Sequence, residues 1–378
     1  MKLSVIVPMY NVRDYCATAL KSLALNVRGD FEFIVVDDCS TDGTFEILQR
    51  EIRKVPGGVL HQNPQNSGIS YTRNAGLRMA RGKYVAFLDG DDWFAPGYLS
   101  QLVATIEHFG CDFVRTDHVR VVGRKREIIR SPQAVRNTML APIRSIMPAD
   151  ASTMVDYPLV WAGIFDRELL ARRGLLFFDE KLRTAEDRMW TWRLHLYTSS
   201  YVAVDLAGIF YRRDVSTSLT RIPDERQLDF IPCFEQVAHE VSVHPWGAQI
   251  MPKVIRTFCA MMAIHLDRAD TYEPEVRALL KSRVSQALDG LHQGLLERTL
   301  GEMGERRAKL INSVRGSAPV PPASHIQEPV APQRPEYLRQ VPAPGQPRAG
   351  QAGGPQAQGA SSDRRGPGVN RYRVGAPV

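Results

Sequence analysis

The first 115 residues alternate short apolar runs with amphipathic stretches, and this alternation constrains the fold more than any other feature of the sequence. The apolar run at 3–7 predicts a strand buried on both faces, and the residues after it place their apolar side chains on one face of a helix. Similar runs follow at 31–36, 59–62 and 84–88. Alternating strands and helices of this kind form a mostly parallel sheet covered by helices. We therefore expect an α/β, Rossmann-like fold.

The chain divides into three parts by pattern and composition. Strand and helix patterns continue over residues 1–220, which we assign to the main α/β domain. Residues 221–316 carry helical periodicity with many charges and predict a helical C-terminal region. Residues 317–378 are rich in Pro, Gly, Gln and Ala, with almost no large aliphatic residues. Such a segment cannot bury enough apolar surface to offset its chain entropy, so we predict a disordered tail.

The later part of the main domain has weaker patterns. We predict a helix near 135–146, helical structure at 160–170 and 186–197, and extended structure at 201–206 and 209–212.

The net charge does not indicate a nucleic-acid-binding protein. The formal charge is +7, but residues 317–378 hold seven arginines against three acidic residues and so contribute +4 of it. The remaining 316 residues are near +3, which is too weak and dispersed for a nucleic-acid-binding face.

The sequence predicts a cytoplasmic protein. It contains no run of roughly 18 to 20 apolar residues that could span a bilayer, and its start leads directly into a strand pattern rather than a signal peptide. Its five cysteines are scattered and lack the spacing of a zinc site or a disulfide framework. Peripheral contact with the inner face of a membrane remains compatible with these features.

Polar residues follow each of the four predicted strands. In an open parallel sheet, ligands bind beyond the carboxyl ends of the strands, so these residues are the first candidates for a site. The four clusters are Pro8-Met9-Tyr10-Asn11, Asp37-Asp38-Cys39-Ser40, Asn66-Ser67-Gly68 with Arg73-Asn74, and Asp89-Gly90-Asp91-Asp92. Each cluster alone could serve only to cap a helix, but helix capping does not explain all four together.

The last cluster has the composition of a divalent-cation site. Asp89 and Asp91 can approach one hard cation if the backbone bends at Gly90. Mg²⁺ and Mn²⁺ prefer oxygen ligands, and Mg²⁺ is often held by one or two carboxylates plus substrate phosphates. We therefore predict Mn²⁺ or Mg²⁺ on Asp91 and Asp89, with a diphosphate as the substrate group and Asp92 in a supporting position.

Together these motifs resemble glycosyltransferase family 2, whose members have the GT-A fold. The segments that carry the resemblance are Ser4-Val5-Ile6-Val7-Pro8-Met9-Tyr10-Asn11, Val35-Val36-Asp37-Asp38-Cys39-Ser40-Thr41-Asp42-Gly43-Thr44, Asn66-Ser67-Gly68 with Thr72-Arg73-Asn74-Ala75-Gly76, and Phe87-Leu88-Asp89-Gly90-Asp91-Asp92. A looser resemblance extends to about Ser218, over more than half of the chain. It implies an enzyme that transfers a sugar from a nucleotide-sugar donor, with inversion at the anomeric carbon.

The resemblance also implies roles for individual residues on the donor side. The implied donor-binding residues are Pro8, Tyr10, Asn11, Asp38, Arg73, Asp89 and Gly90. Tyr10 would stack on the base, Asp38 would accept a hydrogen bond from a uracil-like imide, and Arg73 would support the base or the phosphates. UDP is accordingly the expected nucleotide.

The implied general base is Asp187. Glu186-Asp187 resembles the Glu-Asp element with which inverting members deprotonate the acceptor hydroxyl, although capping of the following helix is the competing interpretation. Trp161 resembles an acceptor-side tryptophan, but Ala162 and Gly163 stand where many relatives have Asn-Lys.

A terminal element of the family resembles Tyr211-Arg212-Arg213 with Ser216 and Ser218. By this resemblance Arg212 would reach the diphosphate. The expected acceptor is a hydroxyl of a glycan, a cell-wall polymer or a lipid-linked molecule.

Three other functions compete with sugar transfer. A sugar nucleotidyltransferase would need a glycine-rich basic loop after the first strand, where the chain has Met9-Tyr10-Asn11 instead. A phosphatase with an Asp-x-Asp nucleophile would normally carry that motif on the first strand, with a small hydroxyl residue after it rather than Trp93. A catalytically inactive sugar-binding or scaffold protein would have no need for Asp89, Asp91 and Asp187.

Overall fold

The structure is a computed structural model that describes residues 1–213 and 222–316. In these ranges the strands are β1 (Leu3–Met9), β2 (Phe31–Asp37), β3 (Gly58–Gln62), β4 (Tyr84–Phe87), β5 (Trp93–Phe94), β6 (Phe113–Thr116), β7 (His118–Val122), β8 (Lys125–Ile129), β9 (Gly163–Asp166), β10 (Tyr201–Val204) and β11 (Ile209–Arg212). The α-helices are α1 (Arg13–Ala24), α2 (Thr44–Glu51), α3 (Ile69–Met79), α4 (Tyr98–Phe109), α5 (Arg167–Arg172), α6 (Glu186–Tyr197), α7 (Phe230–Ser242), α8 (Gly247–Asp267), α9 (Pro274–Asp289), α10 (Gln293–Glu302) and α11 (Glu305–Asn312). The predicted disordered tail, Ser216 and Ser218 lie outside the described residues.

A seven-stranded sheet forms the centre of the fold. Its strand order is β10-β6-β9-β4-β1-β2-β3, and only the pairings of β9 with its two neighbours are antiparallel. Every residue of β1, β2 and β4 is buried, as their continuous apolar runs predict. The prediction of a mostly parallel sheet flanked by helices is therefore confirmed.

The sheet register brings the ends of three strands together. β1 pairs in parallel with β2, with Met9 opposite Asp37, and with β4, with Ile6 opposite Phe87. The carboxyl ends of all three strands consequently open at the same edge, where the predicted polar clusters begin.

A smaller sheet adjoins this edge, with strands in the order β5-β11-β7-β8. β5 directly follows the acidic run, Asp89-Gly90-Asp91-Asp92, and pairs antiparallel with β11. This pairing places Trp93 opposite Phe210. The two rings stack at 5.1 Å between centroids.

Two helix predictions are wrong. Residues 160–170 contain the strand β9 before the short helix α5, because β9 is inserted between β4 and β6 and gains its hydrogen bonds from both of them. Residues 135–146 contain the 3₁₀ turn Pro142–Ser145 and an isolated bridge from Leu140 to Tyr201 rather than an α-helix.

The C-terminal part of the described chain is helical. Helix α7 packs against α6 and α8, and α8 in turn contacts α9, α10 and α11. No helix within the described ranges is both long and apolar enough to cross a membrane.

Candidate active site

The first two polar clusters are joined by hydrogen bonds between the ends of β1 and β2. The Asn11 amide donates to Ser40 Oγ at 3.0 Å, and the Thr41 amide donates to Asn11 Oδ1 at 2.9 Å. Asn11 and Cys39 both have positive φ angles, 49° and 59°, which are uncommon outside glycine. Asn11 therefore links the ends of β1 and β2, and its predicted contact with a nucleotide-sugar donor stays a prediction.

Asp38 connects the second cluster to the third. Its Oδ1 accepts from Asn63 Nδ2 at 2.7 Å and from the Ser67 amide at 3.0 Å, and its Oδ2 accepts from the Gly68 amide at 2.8 Å. The residue is only 3% exposed. In this structure Asp38 holds the loop before α3, and its predicted contact with a nucleotide imide stays a prediction.

Tyr10 is placed as a stacking residue would be. Pro8 is buried within β1, whereas Tyr10, just beyond the strand, is 43% exposed. An aromatic ring with a solvent-accessible face at a strand end can cover the apolar face of a base.

The fourth cluster returns to the first through Gly90. A Cβ atom on Gly90 would lie 2.5 Å from Met9 Sδ and 3.1 Å from the Pro8 carbonyl oxygen. Glycine therefore allows the acidic run to approach the end of β1 closely. Its φ angle is not among the positive ones, so the reason for glycine is this close approach rather than a special backbone conformation.

The three aspartates of the acidic run differ in burial. Asp89 and Asp91 are half-buried, while Asp92 is buried and its Oδ2 has no hydrogen-bond partner in the described structure. Burial and the neighbouring Asp89 carboxylate raise the pKa of Asp91 to about 6. Burial, followed by the charges of Asp91 and Asp89, raises the pKa of Asp92 well above its usual range. Burial and the mutual repulsion of the carboxylates thus disfavour the charged forms of Asp91 and Asp92 in this structure.

Arg212 is the cation nearest to this run on the small sheet. Its amide donates to Asp92 Oδ1 at 2.8 Å and its Nε donates to the Asp91 carbonyl at 3.0 Å. The guanidinium lies over the rings of Tyr15 and Trp93, at 4.8 and 4.7 Å from their centroids. Arg212 therefore lies beside the acidic run, and its predicted contact with a diphosphate stays a prediction.

Arg73 lies between the acidic run and the first turn of α6. Its Nη2 donates to Asp89 Oδ1 at 3.0 Å, and its Nη1 donates to Glu186 Oε1 at 2.6 Å. The guanidinium also lies 5.3 Å from the centroid of the Phe178 ring. Although burial opposes its charge, the two carboxylates raise the pKa of Arg73. The sequence predicted a contact with base or phosphate for Arg73, and the structure adds these two carboxylate partners.

Asp187 is at the start of α6, next to this bridge. Burial, and then the Glu186 carboxylate, raise the pKa of Asp187 to about 7 against the opposing effect of Arg188 and Arg73. Ala185, the residue before the helix, has φ 61° and is therefore in the left-handed region that alanine rarely adopts. A carboxylate with a pKa near neutrality is suited to accept a proton from a hydroxyl group.

Trp161 does not lie at an open surface. It is buried against His118 and Tyr211, with ring centroids 5.1 and 4.9 Å away. Its predicted role on the acceptor side therefore has no exposed ring face to support it. Gly163 is explained by packing, since an added Cβ atom would overlap the carbonyl oxygen of Val114 on β6.

Two residues of α3 that were given no individual role fix the segment before α6. Asn74 donates to the Phe178 carbonyl and accepts from the Phe178 amide, both at 2.9 Å, and Ser70 Oγ donates to the Leu182 carbonyl at 2.8 Å. Asn74 belongs to the third segment that resembles the family, but its partners are more than 100 positions away, so only the fold identifies this function.

The acidic run fits a divalent cation that completes its coordination with substrate. No three His, Cys, Asp or Glu side chains within 1–213 and 222–316 are grouped so that they could hold a metal ion. Asp91 and the second oxygen of Asp89 provide two carboxylates, the number with which Mg²⁺ usually binds beside substrate phosphates. A cation would stabilise both the unpartnered Oδ2 of Asp92 and the Asp91 carboxylate, whose pKa is raised by burial and then by the Asp89 charge.

Comparison with known proteins gives relatives of one kind. Residues 4–166 match Glycosyl transferase family 2. The chain is 31% identical over 230 residues to the uncharacterized glycosyltransferase EpsJ of Bacillus subtilis, a match that covers 60% of this chain and 65% of that protein. It is 32% identical over 213 residues to the poly(ribitol-phosphate) beta-N-acetylglucosaminyltransferase TarS of Staphylococcus aureus, covering 56% of this chain and 35% of TarS. The chain thus spans less than two thirds of the length of either relative.

A solved structure supports the same fold. The crystal structure of S. aureus TarS 1-349 in complex with UDP aligns with a TM-score of 0.61 and 23% identity, over 83% of this chain and 91% of that one. At this identity the likeness shows the fold.

Proposed function

We propose that the chain, whose residues 4–166 match Glycosyl transferase family 2, is a metal-dependent, inverting glycosyltransferase. It moves a sugar from a nucleoside-diphosphate donor, UDP by preference, to a hydroxyl group of an acceptor. The observation that carries the proposal is the Arg73 bridge, because it joins the acidic run to the helix that begins with Glu186 and Asp187.

The donor binds along the joined strand ends. Tyr10 covers the base, while Pro8 and Asn11 shape the end of β1 beside it. Asp38 positions the backbone of the loop at 67–68. Gly90 allows the backbone of the acidic run to approach the end of β1 closely. UDP is preferred because TarS, which shares the fold, was crystallised in complex with UDP.

Asp91 and Asp89 would hold Mn²⁺ or Mg²⁺, with Asp92 in a supporting position. When bound, such an ion neutralises the charge that develops on the departing diphosphate. Arg212, beside Asp91 and over Trp93, supplies a further positive charge on the phosphate side. Arg73 keeps Asp89 in place.

Asp187 is the general base. It accepts the proton of the acceptor hydroxyl as the acceptor oxygen attacks the anomeric carbon and the bond to the nucleoside diphosphate breaks. Since this is a single displacement, the configuration inverts. Burial, and then the Glu186 charge, keep the pKa of Asp187 high enough for efficient proton transfer near neutral pH.

The acceptor is a glycan, a cell-wall polymer or a lipid-linked molecule, and an anionic one fits best. Arg124, Lys125 and Arg126 are exposed on the β7–β8 hairpin, and none forms an ion pair with a carboxylate of the described residues. The Arg126 guanidinium lies 5.7 Å from the centroid of Trp93, the residue after the acidic run. These cations could draw an acidic acceptor toward the site.

We place the reaction in the cytoplasm, where peripheral contact with the inner membrane face would give access to lipid-linked acceptors.

The rival functions are less well supported. The chain passes from Asn11 into α1 without a glycine-rich basic loop, which disfavours a nucleotidyltransferase. An inactive binding protein would not need the raised pKa of Asp187 or three aspartates in the acidic run.

The test is a screen of nucleotide sugars with the purified full chain, in which release of the free nucleotide is measured with Mn²⁺, with Mg²⁺ and with EDTA. We expect metal-dependent release from at least one UDP-sugar, including slow hydrolysis without acceptor. Absence of turnover from every UDP- and GDP-sugar, with and without candidate glycan acceptors, would contradict the proposal.

A further inference from the structure

The three residues that precede Glu186 are held by the C-terminal helical part of the chain. Asp229, the residue before α7, accepts from the Arg183 amide at 2.6 Å and from the Thr184 amide at 3.3 Å. It also pairs with the Arg183 guanidinium, at 2.8 Å between Oδ1 and Nη2. Thr184 Oγ1 donates to the Arg226 carbonyl at 2.6 Å. Finally, Cys233 Sγ lies 3.6 Å from the carbonyl oxygen of Ala185.

These contacts act on a turn whose backbone is strained at Ala185. Ala185 has φ 61°, a left-handed conformation that is strained for alanine and that persists only where surrounding contacts enforce it. The Ala185 carbonyl also accepts from the Arg188 and Met189 amides in the first turn of α6. The conformation of Ala185 therefore determines where α6 begins and how Asp187 is directed.

Helix α7 presents one continuous face to this region. Asp229, Cys233, Val237 and Glu240 recur at spacings of three or four, which places them on one side of the helix. At the far end of the face, the buried Glu240 accepts from Arg193 of α6, at 2.9 Å from Nε and 2.7 Å from Nη2. The α6–α7 interface thus has a carboxylate–arginine pair at each end, and only the Asp229 end adjoins Asp187.

We propose that Asp229 is a positioning residue for the general base: by binding the backbone and side chain of Arg183 it holds the Ala185 turn and so directs the Asp187 carboxylate. This inference rests on the proposed function, because Asp187 has to act as the base. It gives the helical C-terminal part a function in catalysis, although that part lies beyond the residues 4–166 that match the family. Asp229 itself touches no reacting group.

The experiment compares Asp229→Asn with Glu240→Gln in the full chain. Both changes remove a buried negative charge from the α6–α7 interface, so a merely structural loss should affect the two alike. Using the UDP-sugar that is turned over in the screen, we expect Asp229→Asn to lower kcat by about 10- to 100-fold, the cost of a misplaced catalytic group. The donor KM and the UDP affinity should stay within about twofold, and Glu240→Gln should keep kcat near the wild-type value.

The pH profile gives a second measurement that a general loss of stability would not change. If the Ala185 turn loosens, Asp187 becomes more hydrated and its pKa falls toward its ordinary value. The acidic limb of the kcat profile should therefore move to lower pH in Asp229→Asn and stay in place in Glu240→Gln. An unchanged kcat and an unchanged limb in Asp229→Asn would overturn the inference, as would an equal loss of kcat in both variants.

Failure of the inference and failure of the proposed function give different results. If the wild-type chain turns over no nucleotide sugar, the proposed function fails. In that case hydrogen–deuterium exchange at 183–189 still tests whether Asp229 holds the Ala185 turn. If it does, exchange should be faster in Asp229→Asn than in Glu240→Gln.

Discussion

The guanidinium of Arg73 donates to the Glu186 carboxylate over 2.6 Å, from Nη1 to Oε1. The same group holds Asp89 through its other terminal nitrogen. One buried cation thus connects the acidic run at the end of β4 with the first turn of α6. In the proposed reaction these are the metal side and the base side, so the position of one depends on the position of the other.

Removal of this cation should destabilise the fold more than removal of an exposed neighbour. Arg73→Met leaves Glu186 buried without its partner, and loss of one member of a buried pair costs about 3 kcal/mol or more. The matched control is Arg78→Met on the same helix, whose 51% exposed side chain pairs with Glu180 and should contribute less than about 1 kcal/mol. Denaturant unfolding in EDTA gives both values. Equal losses of unfolding free energy in the two variants would show that the buried bridge contributes no more than the exposed pair.

Asp187→Asn should abolish transfer while donor binding is preserved. The amide is nearly isosteric but cannot take the proton, so kcat should fall by about 10²- to 10⁴-fold, the usual contribution of a general base. Calorimetry with UDP should give the wild-type affinity. Transfer at an undiminished rate would exclude Asp187 as the base.

The rate should rise with pH through about 7, since Asp187 can accept a proton only after losing its own and burial and Glu186 raise its pKa to about 7. Glu186→Gln removes the adjacent negative charge, which lowers the pKa of Asp187 and should move the rise to lower pH. Glu107→Gln, at the exposed pair with Lys2, serves as a control and should leave the profile unchanged. If the rate of Glu186→Gln rises at the same pH as that of the wild type, the rise does not report the ionisation of Asp187.

Gly163→Ala should destabilise the sheet. The new methyl group would overlap the Val114 carbonyl, and the overpacked β6–β9 pairing should lose about 2 kcal/mol. Gly29→Ala is the matched control, because nothing lies within 4 Å of its added Cβ atom and its change should stay within about 0.5 kcal/mol. If both variants unfold at the wild-type denaturant concentration, β9 does not approach β6 as closely as described.

The parts of the fold that depend on local pattern could be predicted from the sequence. The predicted bounds of α6 and β11 agree with the structure, although the patterns at 186–197 and 209–212 are weaker than those of the first 115 residues. β9 could not be predicted, because its four residues become a strand only through pairing with β4 and β6, which lie some 50 to 80 positions earlier. Its apolar spacing fits a helix equally well.

The same distinction applies to the site. Strand-end polar clusters identified the acidic run, since parallel strands bring such residues to one edge. The partners of Arg73 could not be predicted, because Glu186 is 113 positions away and the contact exists only once α3 and α6 have packed. Asp229 was not predicted either, as nothing in its local sequence distinguishes it from the other charges of the helical region.

The proposed metal site is tested most directly by calorimetry of UDP binding to the wild-type chain and to Asp91→Ala, each with Mn²⁺ and with EDTA. We expect Mn²⁺ to strengthen binding to the wild type by about 10-fold or more, equivalent to about 1.4 kcal/mol, and Asp91→Ala to bind UDP with the same weak affinity in both conditions. Equal affinity of the wild type with and without metal, or an undiminished effect of Mn²⁺ in Asp91→Ala, would contradict the proposed site.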